Sequence, residues 1–347
     1  MANGTARDVA TDPQWLPHTY DVSGSMLTSV FVEREQRQEL VFLSDECFKS
    51  DFRKVAHPAS AIAPYAEQAA EAPLHFIFHT AFCGSTLMVK ALEIPGRSHG
   101  LKEPDVLINV ANRLIRSDDS ANRERLRLVL RLLARPFRAG ESIVVKPSNT
   151  ANRLALPALE ARKDSRAILL HSDLRSLLRS ILKRGVWGRI WGRRLFRSVA
   201  SWSSLDFGYS EEETFVLTDL QALGLAWLMQ MHHFREVAEQ MGERVQLIDS
   251  ASFLASPAPT LFRIGRLFDL DLDESTIEEV VSGPTFARHS KFSDLDYGNA
   301  KRAVDQTAAQ SAHHEEVEMV VKWVEAVAAH MDVDMNPARS GLAPVTA

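Results

Sequence analysis

The first long apolar run that ends in a sharp turn is Leu74-His-Phe-Ile-Phe-His79. Apart from its two histidines it has the pattern of a strand buried on both faces of a parallel sheet. It leads into the turn Thr80-Ala-Phe-Cys-Gly84 and then into Ser85-Thr-Leu-Met-Val-Lys-Ala-Leu92, whose spacing predicts a helix. Beyond it, strand-like and helix-like stretches alternate. Strands are expected at 99–102, 142–145, 167–171 and 244–248, and helices at 106–116, 121–134, 174–183 and 213–241. Further helices are expected near 260–268, 275–282 and 313–330. Alternation of this kind predicts an α/β fold, a parallel central sheet flanked by helices on both faces.

Upstream of Leu74 the pattern is weaker. Residues 1–25 are rich in Asp, Pro, Gly and Ser and read as a loose arm. The apolar stretches 30–32 and 40–43 flank a charged segment and read as a hairpin or two short edge strands. An alanine-rich stretch, 58–73, joins this piece to the main body. The expected organisation is an arm with an accessory β segment at 1–70, the α/β domain at 71–335 and a loose tail at 336–347. No internal repeat or low-complexity tract interrupts it.

Composition narrows the class of function. A chain of 347 residues, 45% of them hydrophobic, has ample material for a core. A net charge of -5 argues against a polycation built for nucleic acid. The two cysteines, Cys47 and Cys83, leave no disulfide framework and suit a reducing compartment. The N-terminal residues lack the apolar core of a signal peptide, and no run is long enough to span a bilayer. A cytoplasmic protein is expected.

The candidate chemistry begins at the turn after the first central strand. Backbone amides there, with the hydroxyls of Ser85 and Thr86, meet a helix N-terminus, where unpaired N–H groups and the helix dipole favour an anion. A nucleotide phosphate is the natural guest; a simple helix cap is the plainer alternative. The turn is not a Walker A loop, because Gly84 is followed by Ser85 rather than by lysine. Nor is it a Cys-x5-Arg phosphatase loop, since Val89 stands where arginine is required. With a single glycine it also lacks the dinucleotide fingerprint.

Gly84-Ser-Thr-Leu87 does resemble the first loop of the sulfotransferase family, which ends in Gly-Ser/Thr-Thr. Four further segments follow in the family's order. They are Gly100-Leu-Lys-Glu-Pro104, Val144-Val-Lys-Pro-Ser-Asn149, Ser172-Asp-Leu-Arg175 with Ser180 one turn on, and Arg244-Val-Gln-Leu-Ile-Asp-Ser250. The resemblance implies a P-loop NTPase-like sheet of the sulfotransferase type. It also implies 3′-phosphoadenosine 5′-phosphosulfate (PAPS) as co-substrate and a hydroxyl or amine acceptor, with no metal. Cys83, Gly84, Ser85, Thr86 and Leu87 would hold the 5′-phosphosulfate, and Arg175 and Ser180 the 3′-phosphate. Glu103 would be the general base. Lys146 or Lys102 would neutralise charge on the leaving phosphate, with His79 a further candidate.

Two positions depart from the family pattern. Phe82 stands where a lysine or arginine usually precedes the loop's Ser-Gly, and Ser172 replaces the usual arginine of the 3′-phosphate turn. A transferring group that loses one preorganised donor typically loses about 10²–10³ in rate. The basic aromatic segment 183–197 offers a replacement for the arginine missing at Ser172, with Arg184, Arg189 or Arg193 closing over the nucleotide from a glycine-containing lid. A solvated basic helix with buried tryptophans is the plainer reading. Arg288 and Lys291, late in the chain, match the position of the family's terminal loop and would contact phosphate. The rival functions are a nucleotide-binding module that has lost transfer chemistry and, less favoured, a small-metabolite kinase. Cys83, at a helix start, carries one more expectation: a thiol acidified by the dipole, or simply a small buried filler.

Overall fold

The computed structural model describes residues 4–48, 51–286 and 300–335, the last of these by backbone alone up to 312. Strands β1 (Trp15–Tyr20), β2 (Met26–Phe31) and β3 (Lys54–Pro58) form a small antiparallel sheet. Strands β4 (Leu74–His79), β5 (Ser98–Lys102), β6 (Ser142–Lys146), β7 (Ala167–His171) and β8 (Val245–Asp249) form the central sheet, in the order β5-β6-β4-β7-β8. Every pairing in it is parallel. The predicted α/β architecture is therefore present, with the strand after residue 73 at its centre.

Alternation along β4 shows why both faces are covered. Phe76 and Phe78 point into one core, shared with the helices Asp105–Arg116, Ser120–Leu133 and Asp219–Met241. Ile77, with Val144, Ile168 and Leu170 of the neighbouring strands, points into a second core. Leu87 and Met88 of the Ser85–Ala91 helix and Leu261 and Ile264 of the Pro257–Phe268 helix complete that core. An unbroken apolar strand is the sequence consequence of burial on two sides.

The expected accessory β segment is present, but the reading of the residues around it needs correction. Residues expected as a loose arm contain a helix, Ala6–Thr11, with a capping box from Thr5, and a strand whose Trp15 is fully buried. The charged segment expected to separate two strands is itself a helix, Arg34–Glu39, and 40–43 form no strand. Charged residues fasten the piece to the main body. The Arg34 guanidinium donates to both oxygens of Glu141 (2.8 and 2.9 Å) and to Glu93 (3.2 Å). Buried Arg135 donates to the carbonyls of Val9, Asp12 and Trp15.

The basic aromatic segment is also more regular than a glycine-hinged lid. It forms one helix, Gly185–Ala200, lying against Asp219–Met241. A Cβ at Gly188 would meet the Ile181 carbonyl oxygen at 2.3 Å, and one at Gly192 would meet Leu223 at 3.2 Å, so these glycines serve close packing. Among the described residues no helix is long and apolar enough to cross a membrane.

Candidate functional site

Parallel sheets of this kind place ligands outside the carboxyl ends of the strands. At that end, β4 turns through a tightly wound loop. Ala81 (φ 73°), Phe82 (φ 50°) and Gly84 (φ 76°) all adopt left-handed backbone conformations. Such geometry costs of order 1–3 kcal/mol at each of the two non-glycine positions and persists only where the surroundings enforce it. Here the surroundings do. Thr80 Oγ1 accepts from the Ser172 amide at 3.2 Å, and the Ala81 amide donates to His79 Nδ1 at 3.1 Å. Cys83 Sγ faces the Leu170 carbonyl at 3.7 Å. The Ser85–Ala91 helix then starts from Gly84 with no side-chain cap. Leu87 and the Ser85 side chain are buried, and Thr86 is half-buried.

Three predicted residues converge beside the loop. β5, β6 and β4 are neighbours, and their ends bring Glu103, Lys146 and His79 together. The fully buried Lys146 ammonium contacts the Glu103 carboxylate, lies 3.1 Å from His79 Nε2 and sits 5.6 Å from the centre of the Phe42 ring. Burial pushes the Lys146 pKa down, while Glu103 opposes that shift. Glu103 has φ 52°, a strained backbone pinned by its amide bonding to the Lys146 carbonyl at 2.7 Å. His79 is held neutral, with burial and the nearby ammonium both lowering its pKa well below the ordinary imidazole value.

Lys102 stands apart from this trio. It is paired in register with Lys146, but its buried Nζ donates to the Gln38 carbonyl at 2.8 Å. Burial, with Lys90 nearby, brings its pKa down to about 8. In this state it ties the Arg34–Glu39 helix to the sheet.

The residues read as nucleotide ligands are partly engaged elsewhere. Arg175 makes a two-point ion pair with Glu318 of the C-terminal helix (2.6 and 2.8 Å). Ser180 Oγ donates to the Ser176 carbonyl at 2.8 Å within its own helix. At the turn between β7 and that helix, Ser172 is buried, with its carbonyl accepting from the Trp227 indole at 2.9 Å. Its hydroxyl is buried with no partner. Arg189 pairs with Glu316, and Arg193 with Asp219 and the Leu217 carbonyl. Arg184 differs: its guanidinium lies over the Phe82 ring, 5.5 Å from the centroid, and no carboxylate partner is found for it among the described residues. Trp191 meets the same ring edge-on at 5.2 Å. The start of the basic helix thus touches the loop at Phe82. Arg288 and Lys291 lie outside the described residues.

The structure supplies neighbours that the sequence pattern did not reveal. Phe42 covers Lys146, and Leu254 approaches Gly84, 3.6 Å from where a Cβ would sit. Buried Asn152 supports the β4 end by donating to the His79 carbonyl (3.0 Å) and to Gln230 (2.9 Å). None of these carries a local signal, because each contact joins segments far apart in the chain.

Cys83 is a filler. It is buried, and burial pushes its thiol up to about 11, against the acidified reading. Half-exposed Cys47 is therefore expected to react with iodoacetamide well before Cys83, as peptide mass mapping of the folded protein would record. Preferential labelling of Cys83 would contradict that order.

As for metals, one group among the described residues brings ligand atoms within 4.8 Å: His18, Asp45 and Asp105. Asp45 is already met by Lys54 (2.8 Å) and His18 (2.8 Å), and Asp105 accepts the Asp45 amide (2.7 Å). Two surface cavities, of about 350 and 310 Å³, lie away from the loop, one lined by Asp12, Arg34 and Phe137 and the other by Phe207, Tyr209 and Trp323.

No family model and no characterised relative matches the sequence. Solved structures do. A sulfotransferase from Mycobacterium tuberculosis overlaps 65% of this chain and 77% of its own, at 14% identity and a TM-score of 0.44. One from Alicyclobacillus acidocaldarius overlaps 76% of this chain and 98% of its own, at 13% identity and a TM-score of 0.38. One from Mycobacterium avium overlaps 63% of this chain and 70% of its own, at 11% identity and a TM-score of 0.41. Each of the three is a sulfotransferase. At such identity and overlap the likeness concerns the α/β fold alone, and any residue role has to come from the site itself.

Proposed function

We propose that this chain is a sulfotransferase-like enzyme that moves a sulfuryl group from PAPS to a hydroxyl or amine acceptor. The observation that carries the reading is the convergence of Lys146, Glu103 and His79 beside the strained loop that opens the Ser85–Ala91 helix. A carboxylate base and a buried cation within one contact of each other are what an in-line transfer with charge moving to a leaving phosphate requires. PAPS supplies an activated sulfuryl group on a phosphate leaving group. The chain supplies the rest.

In this reading the amides of residues 83–87, with the Ser85 and Thr86 hydroxyls, hold the 5′ end. Lys146 neutralises the charge that develops there, and Glu103 takes the acceptor's proton. The buried, unpartnered Ser172 hydroxyl fits a 3′-phosphate at the β7 turn, with Arg175 and Ser180 one turn further on. Arg184 supplies the positive charge that Phe82 lacks, from above the ring. Lys102 serves the fold first and the site second. Arg288 and Lys291 remain proposed phosphate contacts.

Calorimetric titration with adenosine 3′,5′-bisphosphate, and separately with ATP and magnesium, tests the donor assignment. Bisphosphate binding without metal, with ATP much weaker, is the expected result; magnesium-dependent ATP binding would replace this reading with a kinase. A second reading, a nucleotide-binding module without transfer chemistry, is favoured by Phe82 and Ser172 and by the engagement of Arg175 with Glu318. Bisphosphate binding without sulfuryl transfer to any of a broad set of phenols, alcohols and amines would establish it.

A further inference from the structure

Lys146 is buried but poorly supplied with acceptors. His79 explains why. The Ala81 amide donates to Nδ1 at 3.1 Å, so Nδ1 carries the lone pair. Nε2 faces the Pro147 carbonyl at 3.0 Å, and a carbonyl only accepts. Nε2 therefore bears the proton and has no lone pair to offer the ammonium 3.1 Å away. What Lys146 keeps is one carboxylate, Glu103, and the face of Phe42. Only one of its three N–H donors meets an oxygen. A buried charge is normally paired and fully hydrogen-bonded, so an ammonium left short of acceptors marks a place prepared for another anion.

Glu103 is arranged to be moved. Within the ion pair only the carboxylate meets solvent, with 21% of its side chain exposed against 0% for Lys146. Its backbone sits at φ 52°, a conformation that glutamate adopts at a cost.

We propose that Glu103 is the resident counter-ion of Lys146, and that the anionic tail of the sulfuryl donor displaces it on binding. The exchange completes the lysine's coordination and releases the carboxylate to act as base. This inference rests on the sulfuryl-transfer reading and adds an order to it: the base becomes free only once the donor is seated. In the step that follows, the acceptor oxygen forms a bond to sulfur and its proton passes to Glu103. The bond from sulfur to the bridging oxygen breaks, and its electron pair leaves with the phosphate held against Lys146.

The test is calorimetric titration of adenosine 3′,5′-bisphosphate into the full-length protein and its Glu103→Gln and Glu103→Ala variants, each checked for native melting behaviour. Removing the competing carboxylate should tighten bisphosphate binding by about tenfold, within the usual range of coupling between two sites. It should at the same time lower the rate of transfer from PAPS to 2-naphthol at saturating donor. A base that did not compete for Lys146 would alter product affinity only through weaker, screened repulsion. The alanine variant keeps the experiment decisive should glutamine disturb the strand end. Affinity that is unchanged or weaker in both variants, beside normal binding to the unaltered protein, overturns the exchange and leaves the enzyme reading intact. Failure of all three proteins to bind the bisphosphate overturns both.

Discussion

Lys146→Met is expected to lower sulfuryl transfer by about 10²–10³-fold, the usual effect of deleting one preorganised donor to a developing anion. Methionine retains the length and much of the apolar stem but removes the cation in contact with Glu103. Since the charge matters most as the phosphate departs, kcat should fall more than donor affinity. The substitution has a structural side as well. It leaves the Glu103 carboxylate without its cation beside the buried ring of His79 and so lowers the melting temperature. A Lys146→Met/Glu103→Gln double variant separates the two effects, because a neutral pair of similar shape should regain stability without regaining activity. Stopped-time assays with radiolabelled PAPS, run beside thermal melts, would read both. A Lys146→Met protein with unaltered turnover would remove the lysine from the mechanism and, with it, the main support for the function.

The legible part of the fold was the part where burial dictates composition. Strands β4 to β8 were expected almost at their observed limits; for the central β4, β6 and β7 the reason is that a strand covered on both faces has little choice but a largely apolar run bounded by turns. The N-terminal piece was misread for the opposite reason. Its Arg34 and Arg37, and Arg135 of the main body that holds it, are buried charges, satisfied by Glu93, Glu141 and backbone carbonyls from segments up to 126 residues away. A charged heptad offers no sign that its arginines point inward. The long helix expected over 213–241 breaks at Leu217, where Thr218 forms a capping box for Asp219–Met241, a local signal visible in the chain but outweighed by the length of the apolar pattern.

The candidate site was readable to a similar depth. The loop was singled out from its own residues, and Glu103 and Lys146 from the resemblance of their segments to the sulfotransferase pattern; each sits at the end of a predictable strand. The partners that set their chemistry could not. That Phe42 covers Lys146, that Lys102 turns toward Gln38, and that Arg175 and Arg189 are taken up by Glu318 and Glu316 of the last helix are facts of tertiary packing. The 183–197 segment shows the same division. Its position suggested a replacement for the arginine missing at Ser172, whereas Arg184 and Trp191 reach Phe82 in the first loop; its glycines suggested a hinge, yet Gly188 and Gly192 fill a tight helix contact.

The largest stability effect is expected at the buried ion network that fastens the N-terminal piece to the sheet. Arg34 meets Glu141, whose side chain is 0% exposed, and Glu93, which also accepts from the Gly100 amide at 2.6 Å and from Gln38 at 2.9 Å. Arg34→Met takes the cation from Glu141 and Glu93 at once, leaving each only its neutral donors, and should cost about 3–5 kcal/mol, the usual effect of breaking a buried pair from one side. Urea unfolding followed by tryptophan fluorescence would show a lower midpoint, and a loss under 1 kcal/mol would place the network outside the stabilising core. The same group sets an acid limit. Burial alone would raise the Glu93 pKa, but hydrogen bonds from His99, Gly100 and Gln38 outweigh it and bring it to about 2 from 4.5. His99 is pushed below the ordinary imidazole value by its own burial, so near neutral pH its contribution is an N–H rather than a full charge. A carboxyl held lower in the folded state binds its proton more readily when unfolded. Its contribution is complete above about pH 4.5 and drains away as pH falls toward 2. The unaltered protein should therefore lose stability steeply across that window, and a Glu93→Gln variant, already weakened at pH 7, should lose less. Equal slopes for the two would show that the acid limit is set elsewhere in the chain.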